Sequence, residues 1–245
     1  MTRAPSLHEL SVTDAVRASV ERTPDKAAIV EGTTIVRYRD LLASHPQAGT
    51  SALATIRNWF DWFDWLGRPN VEPEQASFVT VSGATLTHRV LMMRVLNTAM
   101  VHRAFSRDVV SASLLPLNSA AGVVAAMAPL ILGGTLHCLA PSDISALARS
   151  ISAGFVNQAW IGTAALAELD RARIRDLDAP HPDFRLLIAT PRPGPIARGR
   201  LLEWLGAERV TAESGDDTTG PVLRYPGLMD EAEPFDGASL AATLS

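Results

Sequence analysis

The chain has 245 residues, 47% of them hydrophobic and 20% charged, with a mean hydropathy of +0.12. These values are typical of a folded globular protein and exclude a disordered or fibrous chain. Because 22 basic and 26 acidic residues give a net charge of −4, the chain lacks the general basic field that nucleic acid or anionic lipid requires.

Two residue counts limit the chemistry further. Twenty-one of the basic residues are arginines and only Lys26 is a lysine, so no other position of this sequence offers a catalytic lysine. Cys138 is the only cysteine, which excludes an intramolecular disulfide and a thiolate metal cage. Its apolar neighbours favour a buried thiol in a strand.

The first ten residues lack the apolar segment of a secretory signal, so we expect a cytoplasmic protein.

In chain order, the first elements are a helix, a hairpin and a second helix. Ser11 and Asp14 predict the N-cap and the capping-box partner of a helix over residues 11–22. Two short apolar runs predict a hairpin at residues 27–36. Apolar side chains at helical spacing then predict a helix over residues 51–66.

Aromatic side chains are concentrated in that second predicted helix. Trp62 lies at the margin of its apolar face and Trp65 points away from it, so we expect another segment or a second copy of the chain to cover them. The acidic residues Asp61 and Asp64 lie between the rings, which argues against stacking on nucleic acid bases.

From residue 75 onward, strands and helices alternate. This alternation predicts an α/β fold, a layered sheet with flanking helices. The predicted strands cover residues 77–81, 109–114, 135–139, 157–161, 185–189 and 209–211. The predicted helices cover residues 87–104, 120–132, 143–153, 164–173 and 196–205. We divide the chain into an N-terminal segment packed on the core at 1–74, the α/β core at 75–225 and a peripheral tail at 226–245.

One stretch of the predicted core invites a membrane interpretation. Residues 109–142 contain no Asp, Glu, Lys or Arg. Pro116, Pro129 and the pair Gly133 and Gly134 divide this stretch into pieces shorter than the ~20 residues that a membrane span needs. We therefore predict a buried strand, helix and strand, and no membrane association.

Several short blocks occur in an order that resembles the adenylate-forming enzymes, the superfamily of the acyl-CoA synthetases. The blocks are Thr-Pro-Asp-Lys-Ala-Ala at 23–28, Val-Arg-Tyr-Arg-Asp-Leu at 36–41, Thr-Val-Ser-Gly at 80–83, Leu-Thr-His-Arg at 86–89, Leu-Pro-Leu at 115–117 with Gly122, Pro-Leu at 129–130, Gly-Gly-Thr at 133–135, Arg-Leu-Leu at 185–187, Pro-Gly-Pro at 193–195, Leu-Gly at 205–206 and Ser-Gly at 214–215. The resemblance implies a shortened N-terminal core of an acyl-CoA synthetase.

The sequence departs from this family at the groups that perform its chemistry. The family holds the ATP phosphates in a loop rich in glycine and serine or threonine that carries a lysine; here Ser82 and Gly83 lead directly into the block at 86–89. In the family's Tyr-Gly-x-Thr-Glu block only Gly215 matches, because Ser214 takes the place of the tyrosine and Asp217 that of the threonine.

The resemblance also implies a C-terminal domain with a catalytic lysine, which we expect to be absent because the sequence ends near the point where that domain would begin. With Lys26 as the only lysine, we predict that ATP-dependent adenylation is lost and that no cofactor is bound. The chain then acts as a binding or partner-binding protein. Residual ligase activity completed by a partner chain that supplies the missing domain is a further alternative.

The resemblance places an acyl pocket beside the helix that follows the Leu-Pro-Leu block. It implies a site made by Ser82, Asn118, Ser119, Gly122, Thr190, Ser214 and Gly215. Its ligand would be a small-molecule acid or an acyl thioester, with a carrier protein or a homodimer as partner. Ser119 has an alternative role as the N-cap of the helix that follows it.

An enzyme that acts without ATP is the competing hypothesis. His88, at the start of a predicted helix, would be its acid or base, assisted by Asp216 or Asp217, in cyclisation, condensation or hydrolysis of an acyl or carrier-bound intermediate. The alternative is structural: Thr87 caps the helix and His88 packs in the core. No two histidines have metal-ligand spacing, so we predict no metal site.

Overall fold

The computed structural model describes residues 11–41, 55–56, 76–79, 83, 85–101, 108–171, 182–190, 205, 209–214 and 223–226. The helices are α1 (Val12–Arg22), α2 (Tyr38–Leu41), α3 (His88–Val101), α4 (Ala120–Leu132), α5 (Ile144–Ser152) and α6 (Thr163–Arg171). The strands are β1 (Ala27–Glu31), β2 (Thr34–Arg37), β3 (Ala76–Val79), β4 (Thr85–Thr87), β5 (Val110–Ser113), β6 (Thr135–Cys138), β7 (Gln158–Gly162), β8 (Arg185–Thr190), β9 (Val210–Ser214) and β10 (Leu223–Pro226).

Eight of the strands form one sheet in the order β10-β9-β8-β7-β5-β6-β1-β2. The six inner strands pair in parallel, and β2 and β10 close the two sides as antiparallel strands. Because the inner strands are parallel, their carboxyl ends all meet at one edge of the sheet, and the residues that follow them are brought together there. The strands β3 and β4 form a separate antiparallel pair.

Both faces of the sheet are covered by helices. Trp160 and Leu187 point to one face, where they pack with α1, α3 and α4. Ala159 and Ile161, the alternate residues of β7, point to the other face and pack with α5 and α6. The predicted α/β layered sheet with flanking helices is confirmed.

The first predicted elements agree closely with the structure. Ser11 caps α1, its side chain accepts the Asp14 N–H at 3.1 Å, and Asp14 completes the capping box. The hairpin is also confirmed, as β1 and β2. The strand β1 pairs with β6 in the main sheet, so residues of the N-terminal segment are part of the same sheet as the core. The division at 74 and 75 stays a prediction.

Two strands were not predicted. The strand β4 lies where the sequence analysis had only a loop and the start of a helix, and β10 adds Leu223–Pro226 to the main sheet at the point where the peripheral tail was expected to begin. Most of the helices predicted at 51–66 and 196–205 lies outside the described residues. Among the helices that the structure describes, none is both long and apolar enough to cross a membrane.

Candidate ligand site at the carboxyl edge of the sheet

A cleft of about 380 Å³ lies at the carboxyl ends of three neighbouring strands, β1, β6 and β5. This volume is within the range of small-molecule sites in proteins. Its described lining is Glu31, Thr55, Ser113, Leu115, Pro116, Leu117, Asn118, Leu136, His137, Cys138, Leu139, Ala140 and Pro141. Strand ends supply several of the polar groups, Thr55 and Asn118 add two more, and leucine and proline side chains supply most of the remaining wall.

Burial and charge set the ionisation of two groups in this lining. Burial lowers the pKa of His137, which keeps its imidazole neutral near pH 7. Burial, with a contribution from the nearby Glu31 carboxylate, raises the pKa of Cys138 to about 12. The thiol is therefore protonated and a poor nucleophile at neutral pH, which agrees with the buried strand thiol expected from sequence.

The turn that carries Asn118 into the cleft is held by its neighbours. Ser119 Oγ accepts the Gly122 N–H at 3.1 Å and donates to the Pro116 carbonyl oxygen at 2.7 Å. A Cβ atom on Gly122 would lie 1.9 Å from the same oxygen, so only glycine allows the helix to approach the turn this closely. Ser119 is thus the N-cap of α4, and Ser119 and Gly122 shape the turn, while Asn118 lines the cleft.

Two other predicted site residues lie further along the same edge. Thr190 ends β8 and Ser214 ends β9, and the two are direct partners in the sheet. The strand β7 lies between β8 and β5, so Thr190 is two strands, or about 10 Å, from the strand that leads to Asn118. The predicted site residues Ser82, Gly215, Asp216 and Asp217 lie outside the described residues, as do the predicted interface residues Trp62 and Trp65.

His88 lies in the contact between the first turns of α1 and α3. Its side chain is buried, and Nδ1 accepts the Val12 N–H at 3.3 Å, one of the donors left without a partner inside the helix at the start of α1. Burial lowers the pKa of His88 to about 4, and the nearby Asp14 carboxylate only partly opposes this effect. Thr87 Oγ1 accepts the Val90 N–H at 3.2 Å and so caps α3. This geometry favours the structural alternative, and acid or base catalysis by His88 stays an untested prediction.

The only lysine is at the opposite edge of the sheet. Lys26 Nζ pairs with the Asp108 carboxylate and donates to the Gly133 carbonyl oxygen at 2.7 Å. These three residues precede β1, β5 and β6, respectively, so they lie at the amino edge. Four- or five-residue strands separate this edge from the cleft by about 15 Å.

The cleft also contains groups that the sequence analysis did not assign to a site. Glu31 and Cys138 are examples. They end β1 and β6, and they reach the cleft because β6 lies beside β5 and β1 lies beside β6. The Gly-Gly-Thr block before β6 was a signal that this strand belongs to the core, but nothing in the sequence placed β1 next to it. In the described part of the chain, no three His, Cys, Asp or Glu side chains gather as metal ligands would.

This parallel sheet, with helices on both faces, has the fold of adenylate-forming enzymes. The chain is similar to o-succinylbenzoate CoA synthetase (MenE) from Bacillus subtilis, with 14% identity and a TM-score of 0.61 over 85% of this chain and 59% of that one. It is similar to CmiS6, with 15% identity and a TM-score of 0.65 over 95% of this chain and 78% of that one.

A third similar structure is NpsA-ThdA from Klebsiella oxytoca, an artificially fused adenylation-PCP di-domain, with 11% identity and a TM-score of 0.63 over 89% of this chain and 55% of that one. This chain therefore spans little more than half the length of two of these three proteins. No family model and no curated protein matches the sequence.

Proposed function

We propose that this chain is a degenerate relative of the acyl-CoA synthetases that does not carry out ATP-dependent adenylation and instead binds a small acyl compound at the carboxyl edge of its sheet. Its role is that of a binding protein, with the acyl compound or an acyl-bearing partner as its ligand. The fold supports the relation to adenylate-forming enzymes, and the residues at the two edges support the change of function.

The position of Lys26 carries the proposal. Adenylation develops negative charge on phosphate oxygens, and a preorganised cation or hydrogen-bond donor that is removed from such a site typically costs ~10²–10³ in rate. Lys26 is held at the amino edge by Asp108 and Gly133, so this chain has no lysine for the edge where the cleft lies.

The cleft supports the binding role. It combines apolar walls with a few polar groups, the composition expected of a site that holds a short acyl chain and orients one polar end. Asn118, which takes part in the acyl pocket implied by the sequence resemblance, is one of those groups. The turn that holds it is fixed by Ser119 and Gly122, which favours a preformed site.

Pyrophosphate exchange tests the loss of adenylation. The purified chain is incubated with ATP, labelled pyrophosphate and a panel of short carboxylic acids, with an active adenylate-forming enzyme as positive control. We expect no exchange above background, and acid-dependent exchange by this chain alone would overturn the proposal. In parallel thermal shift measurements, we expect an acyl thioester to raise the melting temperature and ATP to leave it unchanged.

A carrier protein is the partner that we propose for delivery of the acyl group. The similarity to NpsA-ThdA, in which an adenylation domain and a PCP domain are fused, supports this choice of partner. Carrier binding is tested by comparing acylated and unacylated carrier in a pull-down with the purified chain. We expect retention of the acylated form, and equal failure of both forms would remove the carrier from the proposal.

A further inference from the structure

The described lining of the cleft changes from exposed to buried with depth. Asn118, Ala140 and Pro141 are exposed and form the mouth of the cleft. Cys138 is 9% exposed, and Leu136, two residues earlier in β6, is only 2% exposed. Leu136 is thus the most buried of the described lining residues, and we call it the floor of the cleft.

The cleft enters the face of the sheet that α1, α3 and α4 cover. Leu115, Leu136 and Cys138 all line the cleft and belong to the apolar cluster on that face. Residues two positions apart in a strand lie on the same face, so Leu136 is about 7 Å below Cys138 along β6. The cleft therefore descends along the sheet from its carboxyl edge.

The cleft is narrower at its floor than at the edge of the sheet. At the edge, the ends of three neighbouring strands, β1, β6 and β5, contribute to the lining. At the floor, the direct partners of Leu136 are Ile29 in β1 and Ser111 in β5, both 0% exposed, and neither lines the cleft. Of these three strands, only the middle one reaches the cleft at this depth, which favours an unbranched chain over a ring or a branched group.

The mouth and the floor also differ in polarity. At the mouth, the Asn118 side-chain amide offers both hydrogen-bond donors and an acceptor. At the floor, the leucine side chain offers neither, and burial of a polar group without a partner is unfavourable. A ligand with a thioester at one end and an apolar chain at the other is therefore bound with the chain toward Leu136.

We propose that the cleft holds an unbranched acyl chain of about six carbons, with its thioester at the mouth, and that Leu136 sets the limit of chain length. Carbon–carbon bonds of about 1.5 Å advance an extended chain by about 1.3 Å per carbon, so a depth of about 7 Å takes about five or six carbons. The inference rests on the proposed acyl-binding function and deepens it by naming the chain length and the residue that limits it.

A series of thioesters tests the length limit. The probes are butanoyl-, hexanoyl- and octanoyl-N-acetylcysteamine, and titration calorimetry with the full chain measures their affinities. Each methylene group that becomes buried adds about fourfold to the affinity, so hexanoyl is expected to bind at least about tenfold more tightly than butanoyl. Octanoyl is expected to remain within about threefold of hexanoyl, because its last carbons find no further room beyond Leu136.

Two other outcomes of this series are distinguishable. A further rise of about tenfold or more from hexanoyl to octanoyl would overturn the length limit and leave the acyl-binding function standing. Absence of binding by all three thioesters would overturn the acyl-binding function itself, and the length limit with it.

The variant Leu136→Ala tests the residue assignment. It removes the isopropyl group from the floor and leaves a cavity, so octanoyl is expected to bind at least about tenfold more tightly than hexanoyl in this variant. The milder variant Leu136→Val covers the case in which the alanine variant does not fold, and it should raise the ratio of the two affinities about fourfold above its wild-type value.

The matched control is Leu186→Ala. Leu186 is a similarly buried leucine of β8 that packs in the cluster on the opposite face of the sheet. Its truncation makes a comparable cavity away from the cleft, so the ratio of octanoyl to hexanoyl affinity should equal that of the wild type. A wild-type ratio in folded Leu136→Ala and Leu136→Val variants would overturn the assignment of Leu136.

Discussion

The neutral side chain of His88 links the first turns of α1 and α3. With Nδ1 accepting the Val12 N–H, the proton of the neutral ring is on Nε2, and a protonated imidazole would have no acceptor to offer. The folded pKa of about 4 lies below the 6.5 of an unperturbed histidine, so the unfolded chain binds the proton more readily between these values. The contribution of His88 to stability is therefore complete above pH 6.5 and is lost as the pH falls toward 4.

We expect this residue alone to lower the free energy of unfolding by about 2 kcal/mol between about pH 7.5 and pH 5. Urea unfolding of the wild type and of His88→Asn at both pH values measures it. Asparagine keeps an acceptor oxygen near the position of Nδ1 but does not titrate, so the variant should show a smaller loss on acidification. The loss of stability that remains in this variant includes a contribution from His137, because its lowered pKa also makes acidification destabilising.

The variant His88→Ala has no side-chain acceptor for the Val12 N–H and serves as a comparison for His88→Asn. It leaves the buried Val12 N–H unsatisfied at every pH, which typically costs about 1–3 kcal/mol. A pH dependence in His88→Asn equal to that of the wild type would show that another group titrates.

At the scale of elements, the close contact between α4 and the turn before it determines the shape of the cleft. Gly122→Ala would place a Cβ atom 1.9 Å from the Pro116 carbonyl oxygen, so the turn or the helix has to move. We expect a loss of about 1–3 kcal/mol in unfolding free energy from overpacking, together with weaker binding of a short acyl thioester because Asn118 moves with the turn.

The control for this variant is Ala121→Gly in the same helical turn. It costs about 1 kcal/mol in helix propensity and removes the methyl group that Ala121 packs against the core, but Ala121 does not line the cleft, so acyl binding should be unchanged. Denaturant unfolding and calorimetry measure both quantities. Wild-type stability in Gly122→Ala would mean that the helix accommodates the methyl group without displacement.

The elements that were predicted correctly are those specified by local sequence. The capping box at Ser11 and Asp14 and the cap at Ser119 lie within three residues of the groups they bind, so sequence spacing alone indicates them. The edge strand β10 was not predicted, because its extended conformation depends on hydrogen bonds to β9 and not on its own local sequence. A short segment that contains a proline has no alternation that reveals such pairing.

The residues of the candidate site also fall into two groups, those that local sequence indicates and those that only the strand pairing brings together. Asn118, Ser119 and Gly122 follow one strand directly, and the sequence analysis placed them together. Glu31 and His137 are 106 positions apart in the chain and meet only through the parallel pairing of β1 with β6. The order of strands in a sheet depends on how the helices cross between them, and a single sequence does not specify it.

In the molecule as a whole, one edge of the sheet contributes to stability and the opposite edge forms the candidate ligand site. The amino edge holds Lys26 between the starts of three strands, and the carboxyl edge forms the cleft. We expect Lys26→Met to lower the unfolding free energy by about 1–2 kcal/mol, through the lost ion pair and the lost hydrogen bond to Gly133. Its affinity for a short acyl thioester should remain within about twofold of the wild type, because the cleft is about 15 Å away.

Arg39→Met serves as the control for Lys26→Met, since Arg39 pairs with Asp25 at an exposed position. We expect this exposed pair to contribute less than about 1 kcal/mol. Denaturant unfolding and calorimetry on both variants separate stability from binding. A large loss of ligand affinity in Lys26→Met would show that the two edges are coupled.

Because Cys138 is the only cysteine in the sequence and lines the cleft, the reactivity of its thiol can be used to detect ligand binding there. With its pKa raised to about 12, the Cys138 thiol is almost entirely protonated at pH 8, so a maleimide should modify it slowly. Because Cys138 lines the cleft and the sequence has no second thiol, the labelling rate follows occupancy of this one location. A bound acyl amide is expected to slow the labelling further, and Glu31→Gln to speed it by removing a charge that opposes ionisation; mass spectrometry of timed aliquots measures both rates.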